Sequence, residues 1–424
     1  MRAAVVTGCR TPFARSGGDF RDLNAVDLGK IAVREALARS ELPGRAVDQL
    51  VFGTVVHDPS APNIAREVGL GVLAEGVPAH TVSLACASAN QAIADGASLI
   101  ETGQADVVIA GGAESLTRIP FTLSDRLASI LVASSKARSL RNRAGILSRI
   151  RPRDLLPVHP QIAEPSTGET MGAAAERMAK ENGIAREAQD AWALRSHRLA
   201  AAGMEDGRLA AEMAPVFLAP SYKKIIDRDA GIRRDTGLEA MAALDPVFDP
   251  RRGSVTAANS SPLTDGAAAV VLMSEDALVK HDARPLAWIR AHAVSALDPA
   301  GQLLQGPAYA VPAALDRAGL TMGDVDLMEM HEAFSAQVLS NLQALDSQAF
   351  ARNELGRSRA VGHPPEDRIN VMGGSIALGH PFGATGARIT LTLANELRRR
   401  DGHFGLLTVC AAGGMGFAMV LERA

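Results

Sequence analysis

Short apolar runs bounded by glycine or polar turns alternate along this chain with segments of helical period. That alternation admits few architectures besides an α/β fold in which strands feed crossover helices. Ala3 to Gly8 reads as a strand, and Asp27 to Ser40 as a helix with Leu28, Ile31, Ala32, Glu35, Ala36 and Arg39 at 3.6-residue spacing. A strand over Leu50 to Val56, a helix over Asn63 to Ala74 and a strand over Thr81 to Leu84 follow. Next come a helix over about 88–102 and a strand over 106–110. That helix carries Ala87, Ala89, Ala92, Ala94, Gly96 and Ala97, small enough for neighbours to approach from most sides, so it is expected to be buried.

The second half repeats the theme, with strands over 286–294, 325–330 and 405–409 and helices over 307–318, 334–345 and about 384–400. In each half a turn precedes a small-residue helix, a polar turn follows (Gly103 to Asp106; Asp401 to His403), and an apolar strand then meets paired glycines, Gly111-Gly112 and Gly413-Gly414. This is a weak internal duplication. Residues from about 119 to 254 lose the alternation and gain Arg, Pro and Asp, as an inserted unit would. The expected organisation is therefore 1–118 with about 255–280, an insert over about 119–254, and about 281–424. A length of 424 residues suits two or three such units.

Charge narrows the partners. The net charge of -3 and pI near 6.4 provide no bulk attraction to nucleic acid, so none is expected as a partner. Three scattered cysteines are too few for a disulfide framework or a metal knuckle, which points to a reducing compartment. With no secretory leader and no run of about 18 apolar residues, a cytoplasmic location is expected. Glycine, at 39 residues, arrives in clusters that suggest close approach of backbone to a ligand.

Two thiols and a histidine stand out. Cys86 lies in Val82-Ser83-Leu84-Ala85-Cys86-Ala87-Ser88, where a strand, a tight turn and a helix start bring sulfur near unpaired N–H groups and the positive helix end, an environment that favours thiolate. An inert buried thiol fits the same local context. His380 lies in Gly379-His380-Pro381-Phe382-Gly383-Ala384-Thr385-Gly386, on a rigid loop opening a helix, where a neutral imidazole is able to take a proton from a thiol. Cys410 ends a strand before Ala411-Ala412-Gly413-Gly414, a turn whose N–H groups suit an oxyanion. No strand-linked GxGxxG with an acidic partner and no GxxxxGK[ST] occurs, which disfavours dinucleotide and P-loop sites.

These three segments, with Met328-Glu329-Met330-His331-Glu332-Ala333-Phe334, together resemble the signature blocks of the thiolase family. The likeness runs from about residue 2 to 423. Most members carry Asn where His331 stands; the His form, and Ala258 to Ala269, resemble the thiolase subunit of fatty-acid oxidation complexes. The resemblance implies a thiolase fold, with two similar α/β halves in a layered αβαβα arrangement and an inserted loop domain that holds CoA. It implies degradative 3-ketoacyl-CoA cleavage, with acetoacetyl-CoA synthesis by condensation, or a non-catalytic CoA or lipid carrier, as the alternatives. A carrier-protein condensing synthase is the rival of similar fold, and Cys410 argues against it, because those sites pair one Cys with two His.

By resemblance, Cys86 becomes acylated, His380 takes its proton and Cys410 exchanges a proton with the α-carbon. The backbone N–H groups of Cys86 and Ala412 face one oxyanion, and His331 and His380 face the other. Ser261, Met171 and Phe334 match residues of the pantetheine and acyl pocket; as plain core residues Met171 and Phe334 read equally well. Cys9 lacks any partner motif and reads as a packing thiol. CoA is expected as cosubstrate, with no other cofactor and no metal.

One segment lies outside these blocks. Arg126, Lys136, Arg138, Arg141, Arg143, Arg149, Arg151 and Arg153 place eight positive charges in 126–153 with no Asp or Glu between them. Interleaved Leu and Ile predict two amphipathic basic helices broken near Gly145, suited to an anionic membrane surface or an acidic partner. A mobile basic hairpin beside the CoA phosphates is the alternative. The resemblance implies docking to the membrane or to a hydratase/dehydrogenase subunit, and assembly as a homodimer or higher oligomer.

Overall fold

A computed structural model describes residues 1–158 and 163–424. Its strands are β1 (Ala3–Arg10), β2 (Ala14–Arg15), β3 (Gln49–Gly53), β4 (Ala79–Val82), β5 (Val107–Glu114), β6 (Val216–Leu218), β7 (Lys224–Ile226), β8 (Thr264–Ser274), β9 (Ala287–Ala296), β10 (Leu327–Met330), β11 (Phe404–Ala411) and β12 (Met415–Arg423). One sheet runs β10-β11-β12-β9-β1-β8-β5-β3-β4, with β2 on β8; β6 and β7 form a separate hairpin. The pairing is written twice. β3–β5 is parallel while β5–β8 and β8–β1 are antiparallel. Likewise, β10–β11 is parallel while β11–β12 and β12–β9 are antiparallel. The halves join where Ala4 and Val5 of β1 pair with Trp288 and Ala287 of β9.

Helices repeat in the same places. Ala25–Arg39 lies between β1 and β3, as Gly306–Ala318 does between β9 and β10; Ser88–Glu101 precedes β5 as Thr385–Arg399 precedes β11. The last two form the centre, sharing one core through Ala89, Ala92, Ile93, Ala387, Leu391 and Leu393. The other two cover outer faces in separate cores, one with Leu28, Ala32, Phe52 and Ile109, the other with Ala310, Ala314, Leu406 and Val420. This gives the αβαβα layering. Contact at the centre demands minimal side chains: a Cβ on Gly386 would lie 2.2 Å from Asn90 Oδ1. Asn90 Nδ2 donates to the Gly386 carbonyl at 3.3 Å, so the starts of the two central helices touch.

The insert replaces a turn. β11 and β12 are joined by Ala412–Gly414, whereas the equivalent β5 and β8 are joined by residues 115–263. Within it lie helices Met171–Glu181 and Arg186–Glu205, regular elements where the sequence suggests only lost alternation. The first buries Ala174, Ala175, Met178 and Ala179, while the second buries Gln189, Asp190, Ser196 and His197 beside Trp192, Ala193 and Leu194. Among the described residues no helix is long and apolar enough to cross a membrane.

Several local expectations are corrected. β3 stops at Gly53, short of Val56, because the N–H groups of Val55 and Val56 bind the Glu114 carboxylate at 3.0 and 3.1 Å instead of the sheet. The helix expected over 63–74 spans only Ile64–Gly69. The strand expected over 106–110 runs on through Gly111 and Gly112 to Glu114. The basic segment forms two helices, Asp125–Ser135 and Leu140–Leu147, but the break falls at 136–139, where Ser139 caps the second by accepting from Asn142 N–H at 3.2 Å. Gly145 sits within that second helix. Nor are all eight charges unopposed, since Arg126 pairs at 3.0 Å with Asp154, the residue that follows Arg153.

Candidate active site

Cys86 sits in a strained turn. Ala85 takes φ 44°, a left-handed conformation costly for a residue with a Cβ. Ser88 holds it there: its Oγ accepts from Leu84 N–H at 2.9 Å and donates to the Ala85 carbonyl at 2.7 Å. His380 occupies the matching place in the other half, in the turn before the second central helix. Because those two helices meet at their starts, the duplicated fold brings the two turns together. Cys86, His380, Cys410 and Ala412 line one cavity of about 540 Å³, with Met171, Ser261, Phe334 and Leu304 on its walls. Donor atoms of Cys86, His331 and His380 all lie within 4.8 Å of one another.

His331 stands behind His380, fully buried, its ring centroid 4.0 Å from that of His380. Hydrogen-bond accounting assigns the two rings opposite tautomers. Thr385 Oγ1 donates to the Pro381 carbonyl at 3.1 Å, so its 2.7 Å contact with His380 Nδ1 is one in which the ring N–H donates. His380 Nε2 then carries a lone pair. Ser375 Oγ accepts from Arg388 at 3.2 Å, and its own proton has His331 Nδ1 at 2.9 Å as acceptor. His331 Nε2 then carries the proton. Among the described residues, neither Nε2 has a hydrogen-bond partner.

Burial rules the electrostatics. It lowers His380 to about 3, with Arg388 adding to the effect, and His331 well below its ordinary value, with His380 and Arg388 contributing. The Cys86 thiol is pushed up to about 12 by burial, although the N–H groups of Ala412 and of Cys86 itself are aimed at the sulfur and pull the other way. Cys410 is raised too, by burial and then by Cys86. Desolvation therefore opposes the thiolate that the helix start favours, and it favours the neutral form of both imidazoles. Cys9 lies elsewhere, buried with its thiol donating to the Ala32 carbonyl at 3.2 Å.

Comparison with known proteins gives this geometry a context. A family model described as thiolase, N-terminal domain, matches residues 3–276, and one described as thiolase, C-terminal domain, matches 283–423. The chain belongs to the thiolase family. The 3-ketoacyl-CoA thiolase of Klebsiella pneumoniae (strain 342) is 51% identical over 422 residues, covering 99% of this chain and 97% of that protein. That of Salmonella choleraesuis (strain SC-B67) is 53% identical over 425, with the same coverage. Among solved structures, human mitochondrial 3-ketoacyl-CoA thiolase in complex with CoA superposes with TM-score 0.84 at 33% identity, covering 100% of this chain and 98% of that one. Bacillus anthracis acetyl-CoA acetyltransferase gives 0.85 at 30%, covering 100% and 99%. The layered architecture is the thiolase fold.

Beneath the reacting groups this thiolase carries a polar layer that sequence inspection missed. Glu332, fully buried, accepts from Trp192 Nε1 at 3.0 Å, Ser196 Oγ at 2.7 Å and Asn370 Nδ2 at 2.8 Å, tying His331's neighbour to the insert. A Cβ on Gly374 would lie 2.3 Å from that carboxylate, which explains a glycine there. Asn370 uses its side chain as a strand residue would, accepting from Met330 N–H at 2.7 Å and donating to Met330 O at 2.8 Å. Glu114, pushed up to about 7 by burial, accepts from Val55, Val56 and Gly383 N–H groups and so braces two cavity loops. Each of these pairings joins residues distant in sequence, and no local signal marks it.

Proposed function

We propose that this chain is a 3-ketoacyl-CoA thiolase, cleaving 3-ketoacyl-CoA with CoA to acetyl-CoA and an acyl-CoA shortened by two carbons, in fatty-acid β-oxidation. The observation that carries the proposal is the convergence of Cys86, Cys410 and His380 on one cavity, with His331 packed directly behind His380. The identity of 51% to 53% with 3-ketoacyl-CoA thiolases supports the degradative substrate.

In this scheme Cys86 Sγ attacks the keto carbon while its proton passes to the His380 Nε2 lone pair. The resting thiol is weakly nucleophilic, so proton transfer accompanies attack. The keto oxygen becomes an oxyanion facing the N–H groups of Cys86 and Ala412. Collapse breaks the Cα–C bond, and the electron pair enters the thioester enolate, whose oxygen faces His331 Nε2–H and the newly protonated His380. Cys410 protonates the α-carbon and acetyl-CoA leaves. The CoA thiol then attacks the acyl group, giving its proton to the Cys410 thiolate, while Cys86 leaves and recovers its own from His380. Each oxyanion donor is worth about 10²–10³ in rate. CoA serves as cosubstrate, and no metal or other cofactor is called on. Ser261, Met171 and Phe334 act as pantetheine and acyl contacts.

Both thiols must stay reduced for this chemistry, which favours a cytoplasmic setting. Assembly as a homodimer or higher oligomer belongs to the same proposal. The basic hairpin, with Leu131, Val132 and Leu140 exposed beside its arginines, is the docking face for a hydratase/dehydrogenase subunit or an anionic membrane. A thiolysis series over acyl lengths tests the function. Turnover extending from acetoacetyl-CoA to longer 3-ketoacyl-CoAs is expected; turnover confined to acetoacetyl-CoA would assign an acetyltransferase instead.

A further inference from the structure

The three donors of the reacting cluster have a second chemistry. We infer that, when no acyl-CoA is bound, Cys86, His331 and His380 form a binding site for a soft divalent cation of the zinc class, which locks the nucleophile off. One sulfur and two imidazole nitrogens within 4.8 Å of one another are the donor set that suits Zn²⁺. Tetrahedral zinc, with Zn–S near 2.3 Å and Zn–N near 2.1 Å, holds its ligands about 3.5 Å apart, so contraction of about 1 Å completes the site. Both Nε2 atoms are buried and, among the described residues, have no hydrogen-bond partner, so both stand open to a ligand when no thioester oxygen occupies the site.

The outer contacts already resemble those of a metal centre. Each ligating ring is held from behind, His331 Nδ1 by Ser375 Oγ at 2.9 Å and His380 Nδ1 by Thr385 Oγ1 at 2.7 Å. No carboxylate belongs to the trio, which selects against magnesium and calcium. Three protein ligands leave the fourth position to water or to a free thiol. The proton balance is simple: Cys86 binds as thiolate and releases one proton per metal. His331 moves its proton from Nε2 to Nδ1, where the Ser375 oxygen accepts it. Occupied in this way, Cys86 cannot attack a keto carbon. Binding rests on the geometry alone; only its inhibitory consequence rests on the proposed thiolysis.

The test uses the chelator-treated full chain, with Co²⁺ as a spectroscopic probe and Zn²⁺ as competitor. A cobalt–thiolate charge-transfer band should saturate at one metal per chain and disappear on adding one equivalent of Zn²⁺. The band should be absent in Cys86→Ala and in wild-type chain alkylated at Cys86, weakened at least tenfold in affinity in His331→Ala, and unchanged in Cys9→Ala. Zn²⁺ should block thiolysis, and chelator should restore it. Failure to form the band, or a band that survives loss or alkylation of Cys86, overturns the site. If the metal binds as described while the metal-free chain fails to cleave any 3-ketoacyl-CoA, the site stands and the catalytic proposal falls.

Discussion

Thr385 and Ser375 carry no reacting atom, yet through one hydroxyl each they give two histidines with ring centroids 4.0 Å apart opposite protonation patterns. Valine at 385 keeps the shape of threonine and removes the acceptor that fixes His380 Nδ1–H. Thr385→Val should therefore lower kcat for thiolysis by about 10² or more, the scale of a lost positioned base, while Thr385→Ser retains most activity. A purely structural role would lower activity only in step with the unfolding midpoint, which is the control measurement. Cys86, His331, His380 and Cys410 were legible in the sequence because each sits in a distinctive run of small residues or a recognisable block. Their electrostatics were not. A helix start beside Cys86 argues for thiolate, but burial is a property of the assembled layers and works against it.

Among the elements, those with strong hydrophobic period were legible and those built on partners distant in sequence were not. The Ser88–Glu101 helix announces its burial by its alanines, whereas β3 ends early only because Glu114 captures the next two N–H groups. Arg186–Glu205 was missed because its buried face includes Gln189, Asp190, Ser196 and His197, polar residues that hydrogen-bond to Ser254, Asn259, Glu332 and Arg233, all distant in sequence. The basic hairpin was legible as an element but not in its break, since Ser139 as a cap outweighs Gly145, which a helix tolerates at about 1 kcal/mol. Arg138, Arg141 and Arg143 stand outside the cavity lining. Their joint replacement by Glu should abolish association with anionic liposomes or with the partner subunit while leaving acetoacetyl-CoA cleavage within about twofold. Each basic group near an anionic surface contributes about 1 kcal/mol, screened beyond about 8 Å at physiological salt. Cosedimentation across a salt series reads this out, and loss of CoA affinity with association intact would move the hairpin to the cosubstrate site.

At the scale of the molecule, one pairing pattern used twice explains why chemistry gathers where it does: each half presents a turn at the start of its central helix, and the helices meet there. The duplication was legible only faintly, because the two halves share topology rather than side chains. Burying histidines in such an interior has a cost in acid. His197 is lowered to about 4 by burial, then by Arg233 and Arg15. The folded chain therefore binds fewer protons than the unfolded one between about pH 4 and 6.5, and its stability falls as pH drops through that window by about 1.4 kcal/mol per unit for this group. His197→Asn, which keeps an acceptor for the Arg233 N–H, should flatten the curve by that amount in urea unfolding from pH 6 to 4.5; an unchanged slope would show His197 to be protonated in the fold. The division of labour between the two halves is tested most directly by incubation with acetyl-CoA alone, followed by mass mapping of the adduct. Acetyl should appear on Cys86 in the wild type and in Cys410→Ser, with α-proton exchange retained only in the wild type. Acetyl on Cys410 or Cys9 with Cys86 free, or exchange at the wild-type rate in Cys410→Ser, would mean that the two thiols do not have the roles assigned to them.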